Sequence, residues 1–454
     1  MAALALAGLL DALAYWPGLM TWDSVRQYGQ ALSGDFDDWH PPTMEWLWRQ
    51  LLPLGSGPAS MLILQLLFYW GGFALLLGWA AKARRARLAV LFVAFACMPM
   101  AVALMGAVLK DCLMAGMFVT ATALLAWTRG EEGWRRRAIA ILLLFAGATL
   151  RFNAFLAALP LLAALLPAGW LSTWPRRIAT WMLGAALLVA AMPLANSLLR
   201  AQTSGVQLSL QIFDLGGITE HSGIDVFPAL GVADPVAVNH RCYTPVKWDS
   251  YSFWTDAPCP LGFDAVRAWD QAHPGQFARL WIAAIVRHPL AYAAHRLAHF
   301  NINTRFLVQD EIERPVQVQS APNAWGYRVG PNPLLAGIDR TATWSVGTPL
   351  GWPICWLAVG IGIMMLAPQL PSRRLVAPLA GSGLLYGFGY LPLSVASELR
   401  YHLWTMLSVG IALALSIDDL MRDRRIVRGR LLLAAAPLLA TLLLCILARA
   451  SVQG

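Results

Sequence analysis

Apolar runs of about the 17–25 residues needed to cross a hydrocarbon layer recur from one end of the chain to the other, and that recurrence rules out an ordinary water-soluble core. They occur near 2–20, 59–81, 88–108, 112–128, 178–199, 342–366, 375–395, 403–417 and 431–450. The stretch 138–168 is interrupted by Arg151, Phe152 and Asn153. It reads as two short or tilted helices meeting at a polar turn, since a single span with a central arginine would be too long and too costly. The total is eleven spans. With 58% hydrophobic and 13% charged residues over 454 positions, the chain has too little polar surface to cover one soluble domain. The fold class is therefore an all-α polytopic membrane protein.

A formal charge of +9 on a soluble protein would suggest an acidic partner such as nucleic acid. Its distribution gives it another meaning. With the N-terminus in the cytoplasm, the inner loops are 82–87, 129–137, 171–177, 367–374 and 418–430, and they hold 17 basic residues against five carboxylates, a net +12. The outer side carries −2, Asp11 adds −1 within the first span, and all eight histidines fall outside. This is the positive-inside pattern, so the charge orients the chain and implies no nucleic acid. The first run lacks a basic leader and a convincing small-residue cleavage site, and reads as a retained helix. The arginine-rich bias fits a bacterial inner membrane with a periplasmic outer side, and tryptophans near the expected outer boundaries fit an interfacial belt.

Two outer segments are long, 21–58 and 200–341, which divides the chain into an N-terminal module 1–200, an outer region 201–341 and C-terminal spans 342–454. No internal repeat is evident, which weakens a transporter reading. In the first outer loop, Val25, Tyr28 and Leu32 share one helical face. After Pro41 and Pro42, so do Met44, Leu47, Trp48, Leu51 and Leu52. Such helices lie in the membrane interface. Residues 276–300 read as two helical pieces broken at Pro289. Tyr292, His295, Arg296 and His299 form a solvated face, opposite Leu290, Ala293, Ala294 and Leu297. The i, i+4 histidines could hold a metal, but no HExxH glutamate accompanies them. Cys97, Cys112, Cys355 and Cys445 lie in or beside spans and read as buried small hydrophobes. Cys242 and Cys259 share an outer loop where a disulfide worth about 3 kcal/mol can form.

With this topology, polar residues distant in sequence gather at the outer surface. Asp23 follows the first span, and Asp35, Asp37, Asp38 and His40 follow in the first outer loop. Lys110 and Asp111 sit between spans three and four, Arg151 and Asn153 between five and six, and Glu398, Arg400, Tyr401 and His402 between nine and ten. Any one of these turns could simply mark a boundary and pair locally, Lys110 with Asp111 and Glu398 with Arg400. Together they suit the holding of a phosphate while a carboxylate takes a proton from an attacking hydroxyl. Arginines clamp phosphate oxygens in fork geometry and a lysine acts as a point charge.

The passage Phe36-Asp37-Asp38-Trp39-His40-Pro41-Pro42, in a first outer loop that opens with an acidic residue, resembles the FDVHPP-like stretch of protein O-mannosyltransferases and the KPP variant of aminoarabinose transferases. Both belong to the GT-C class of integral-membrane glycosyltransferases, whose shared module the first 200 residues resemble. The resemblance implies a polyprenyl-phosphate sugar donor, Asp23 as catalytic base, Asp111 as the second acidic group and His40 near the donor phosphate. The sequence departs from the mannosyltransferase pattern in having Asp23-Ser24 where an Asp-Glu pair is usual, and in lacking a recognisable acceptor domain. Asp37 and Asp38 compete with Asp23 for the base role. The acceptor is left open among glycan, lipid and protein, and a divalent ion bridging Asp23, Asp111 and phosphate is also left open.

The reaction expected is one inverting displacement at the anomeric carbon on the periplasmic face, with His40, Lys110, Arg151 and Arg400 around the leaving phosphate and Asn153 and Tyr401 lining the donor site. Asp37, Glu398 and His402 are secondary candidates. Two other readings stand beside it: a polymerase or ligase of O-antigen type using lipid pyrophosphate glycans, and a lipid or solute transporter.

Overall fold

The computed structural model describes residues 1–128, 133–166, 172–308, 319–422 and 428–451. Parts of the expected inner loops (129–132, 171 and 423–427), the end of the 138–168 run and residues 309–318 of the long outer segment lie outside the described residues. Every regular element among them is helical, and β structure is limited to three isolated bridges.

The chain divides into two compact units, one of Met1–Gln202, Arg314–Gly387 and Leu399–Leu444, the other of Thr203–Glu313, Phe388–Glu398 and Cys445–Gly454. The helices of the N-terminal part are α1 (Ala2–Tyr15), α2 (Trp22–Ser33), α3 (Thr43–Leu51), α4 (Ala59–Lys82), α5 (Ala86–Ala96), α6 (Pro99–Met105), α7 (Lys110–Ala126), α8 (Gly133–Ala148), α9 (Ala154–Leu165) and α10 (Trp174–Leu198). There follow α11 (Gln207–Ser222), α12 (Pro235–Cys242), α13 (Phe263–Ala272), α14 (Gln276–Arg287) and α15 (Pro289–Asn303). The last five are α16 (Pro333–Val346), α17 (Pro353–Leu366), α18 (Arg373–Leu393), α19 (Leu403–Arg422) and α20 (Arg428–Ala450).

Four helical stretches are long and apolar enough to cross a membrane: Ala59–Lys82, Trp174–Leu198, Leu399–Arg422 and Arg430–Ala450. The pair α5 and α6, bent by 53° where Met98 and Pro99 interrupt it, makes a fifth if counted as one span. The expectation of eleven contiguous spans is thus met by fewer long helices. Apart from α18, which has 21 residues, the other apolar runs form helices of 12–17 residues, including α1, α7 and α9, cut short by the cap at Trp16, by Leu109 and Trp127, and by Asn153 and Leu166. Counting apolar residues measures the run, whereas extended or looped flanks set the helix.

In the first unit α7 packs along α4. A Cβ at Gly72 would lie 2.8 Å from Val119 and one at Gly116 3.0 Å from Phe68, so both glycines allow the backbones to approach. About half of α4 and most of α19 are buried, whereas α10 and α20 are largely uncovered. The α10 and α20 surfaces are apolar and uncovered, with Met182, Leu198, Leu432 and Leu433 all more than half exposed. A face of that kind suits lipid rather than water. The segment 319–332 runs back over the first outer loop: Ala321 N–H donates to Met20 O (2.7 Å), and the rings of Trp325 and Tyr327 pack edge-on against Tyr28.

In the second unit the helix break at Pro289 separates α14 from α15, but the faces differ from expectation. His295, Arg296 and His299 are buried against α11, while Leu290 and Leu297 are 84% and 60% exposed. Asp214 of α11 is the reason. Its carboxylate pairs with Arg296 (2.6 Å) and accepts from Trp281 Nε1 (2.9 Å), and a charge so matched can be buried. His295 Nδ1 lies 2.9 Å from the Tyr243 hydroxyl, and His299 Nδ1 donates to Pro245 O at 2.7 Å. The two rings are thereby turned to different partners, so they do not form a metal site. Burial lowers the His299 pKa to about 3. Cys242 and Cys259 are joined in a disulfide with their Cα atoms 5.9 Å apart, and Cys112, Cys355 and Cys445 are buried while Cys97 is exposed.

Candidate active site

The site in the first unit begins with two backbone segments lying side by side. Val108 N–H donates to Leu19 O (2.9 Å) and Leu19 N–H to Gly106 O (3.2 Å). The Gln65 amide, donating to Met105 O and Ala107 O at 2.6 and 2.8 Å, fixes the second segment. Each segment leads into a helix. Thr21 caps α2 in a capping box with Ser24, whose hydroxyl also donates to Val108 O at 2.7 Å. Asp23 in the first turn of α2 is therefore brought beside Lys110, which opens α7.

Lys110 Nζ lies 3.1 Å from Asp23 Oδ2, and Arg400 from the 3₁₀ turn Leu399–His402 reaches the same oxygen at 2.9 Å. Asp23 Oδ1 faces His40 Nε2 at 3.7 Å, longer than a hydrogen bond. Lys110 also donates to His40 Nδ1 at 2.9 Å. An ammonium can only donate, so Nδ1 is the acceptor and the ring proton sits on Nε2, toward Asp23. Burial, then the charge of Lys110, lowers the His40 pKa to about 3, so the ring is neutral in ordinary buffers. Burial alone would raise Asp23, yet Arg400, Lys110 and His40 hold it well below the usual carboxylate range.

A second pair adjoins the first. Asp111, next to Lys110 in α7, is buried and bonded to Arg151 from the turn between α8 and α9, and its Oδ2 has no partner among the described residues. The Arg151 guanidinium stacks 4.4 Å above the Tyr401 ring, and that of Arg400 lies 5.6 Å from the same ring. Tyr401 thus contacts both arginines through its ring.

Other expected residues lie around this group or have contacts of their own. Asp37 is held by Arg26 and accepts from Trp39 N–H, which commits it to shaping the loop. Asp38 donates its backbone N–H to Gln202 O (3.0 Å), and Gln202 N–H donates to Phe36 O (2.8 Å), tying the loop to the end of α10. Asp35 donates its N–H to Ser33 Oγ. Asn153 is buried at the start of α9, and His402, the last residue of the 3₁₀ turn, is fully buried. Glu398 belongs to the second unit. Lys110 and Arg400 both reach across to Asp23, contacts that are long-range in sequence.

Sequence reasoning missed Glu45. This carboxyl is fully buried in α3, where Oε1 accepts from Gln27 Nε2 of α2 at 3.1 Å. Burial pushes its pKa up to about 8, partly countered by that hydrogen bond and by the charge of Lys110. It lies beside Met44 in the stripe that buries Met44 and Trp48, which is the only signal the sequence carries.

Among the described residues no group of three or more His, Cys, Asp or Glu side chains gathers, and one oxygen each of Asp23 and Asp111 is paired with ammonium or guanidinium groups. The positive charge here is built from side chains.

No protein-family model matches the chain, and no curated protein does so. Among solved structures it is similar to the archaeal oligosaccharyltransferase AglB from Archaeoglobus fulgidus in complex with an inhibitory peptide and a dolichol-phosphate. The identity is 15% and the TM-score 0.38, over 99% of this chain and 55% of that one. It is also similar to the Archaeoglobus fulgidus oligosaccharyltransferase tethered to an acceptor peptide containing the NVT sequon, at 15% identity and TM-score 0.36, over 99% and 54%. The chain spans about half the length of these proteins.

Proposed function

We propose that this protein is a membrane glycosyltransferase of GT-C type that moves a sugar from a polyprenyl-phosphate donor to an acceptor hydroxyl by one inverting displacement. The observation that carries the reading is Asp23 Oδ2 shared by Lys110 and Arg400, with neutral His40 against Oδ1 and the Asp111–Arg151 pair alongside. Lys110, Arg400 and Arg151 supply cations that suit a lipid phosphate, and the neutral histidine adds no charge.

The chemistry follows from the competition for those cations. In the resting site Asp23 is a weak base, because two cations stabilise its ionised form. A phosphate arriving at Lys110 and Arg400 takes over part of their charge and frees Asp23 to accept a proton. The acceptor hydroxyl then gives its proton to Asp23, its oxygen forms the new bond at the anomeric carbon, and the bond from that carbon to the phosphate oxygen breaks on the opposite side. The leaving phosphate gains a negative charge, which Lys110, Arg400 and Arg151 are arranged to stabilise. His40, protonated on Nε2, fixes the Lys110 ammonium from its other ring nitrogen.

In this reading the chain crosses the bilayer up to eleven times, counting its shorter apolar helices. The site stands on the periplasmic face of a bacterial inner membrane, opposite the basic loops. The test is transfer from radiolabelled polyprenyl-phosphate sugars by the detergent-solubilised protein. Asp23→Asn is expected to lower the rate by about 10²–10⁴-fold with donor binding retained. Undiminished transfer by the variant removes Asp23 as base, and no transfer by the wild type from any monophosphate donor overturns the donor class.

A further inference from the structure

A second cationic group of the first unit lies about 24 Å from the site, at the far end of α19, since sixteen helical rises separate Leu403 from Asp419. There Arg85 donates from Nε to Asp418 (2.6 Å), from one terminal nitrogen to Asp419 (2.6 Å) and from the other to Ser372 Oγ (3.0 Å). Ser372 N–H donates to Asp419 at 2.7 Å. These bonds use the charge of Arg85 on two aspartates and lock the loop between α17 and α18 in place.

The locked loop forms one wall system. Pro368, Gln369, Leu370, Pro371, Arg373 and Arg374 line an open cavity of about 350 Å³. That is within the roughly 300–1,000 Å³ of small-molecule sites. Gln369, with its amide turned so that both partners are satisfied, accepts from Arg430 Nε at 2.8 Å. Arg373 and Arg374 are exposed, and among the described residues no side-chain hydrogen bond or ion pair engages either one. Just beyond Arg430 on α20, Leu432 and Leu433 are 71% and 60% exposed. A Cβ at Gly362 would lie 2.1 Å from Ala434 O, so α20 passes directly against α17 here. Exposed cations, an open and largely polar cavity and an adjoining apolar helix face therefore meet at one point, on the side marked by the basic loops.

We propose that this cavity holds the headgroup phosphate of an anionic phospholipid. Arg373 and Arg374 contact the phosphate, and the acyl chains lie along the exposed leucines of α20. A general attraction of basic loops to an acidic leaflet needs no cavity, and any exposed inner arginine would serve it equally. A free phosphate would share the headgroup chemistry but gain nothing from the apolar surface. The assignment does not rest on the proposed transfer reaction.

The experiment measures phosphatidylglycerol retained by the full-length protein in native mass spectrometry, after exchange from nanodiscs of phosphatidylglycerol and phosphatidylcholine. The double variant Arg373→Gln/Arg374→Gln is expected to retain on the order of 30-fold less phosphatidylglycerol than wild type. Arg84→Gln/Arg87→Gln, two exposed arginines outside the cavity, is expected to change retention by less than about three-fold. Arg373→Lys/Arg374→Lys keeps the charge and should retain most of the lipid, which separates binding from misfolding. Equal loss in the Arg84/Arg87 variant reduces the effect to general electrostatics and overturns the site, as does undiminished retention by the Gln variant. Displacement of the lipid by millimolar inorganic phosphate overturns the lipid as occupant.

Discussion

Asp23 Oδ2 takes two cations while Oδ1 takes none within hydrogen-bond distance, and that asymmetry decides what the residue can do. The residues that make it were legible in the sequence, because each is a charged group placed just outside an apolar run. Their pairing was not. Proximity in sequence points Lys110 at Asp111, whereas the adjacency of Leu19 and Val108, a backbone contact with no side-chain signature, turns it to Asp23. Glu45 was also hidden, as nothing in the sequence distinguishes a carboxyl at the edge of an apolar stripe from a solvated one. Its folded pKa, about 8, lies above its ordinary value of 4.5. The stability it allows is present below the ordinary value and is lost as pH rises through 8, at up to roughly 1.4 kcal/mol per pH unit between the two values. Glu45→Gln should therefore match wild type near pH 4.5 in thermal unfolding and become the more stable protein at pH 9. Parallel curves for the two proteins would show that Glu45 does not titrate this way.

The elements that carry the site are short, and their ends matter more than their interiors. Helix α2 is set by Thr21 and Ser24, and Ser24 also ties its first turn to Val108. Ser24→Ala removes the box and the tie together, for a predicted loss of about 1–2 kcal/mol. Transfer should fall by more than the stability loss accounts for, because Asp23 moves relative to Lys110; unfolding and transfer measured on one preparation would reveal an unchanged rate and so contradict this. The interfacial helices show where pattern reading stops. The periodicity of α15 correctly separates a polar from an apolar face, but the sequence cannot say which face turns inward. Asp214, 82 residues before Arg296, reverses the ordinary choice by matching its charge inside.

At the scale of the whole molecule, helix class and apolar character were legible because they depend on summed composition and periodicity. Span number was less so, since caps and the break at Met98–Pro99 divide runs that look continuous. The exposed apolar faces of α10 and α20 suit a bilayer, and the proposed direction across it rests on the positive-inside pattern of the basic loops. Single cysteines at Asp35→Cys and Arg84→Cys should be labelled by an impermeant reagent from outside and only after permeabilisation, respectively. The opposite pattern would put the carboxylate and cation cluster on the wrong side for the proposed donor. The central claim is that Lys110 and Arg400 are held on Asp23 until a lipid phosphate takes them, and the measurement closest to it is an isotope-edited infrared titration of the Asp23 carboxylate with and without a short-chain polyprenyl phosphate. The account predicts a carboxylate that stays ionised to very low pH alone and protonates at distinctly higher pH with the phosphate bound; a titration unmoved by saturating phosphate would contradict it.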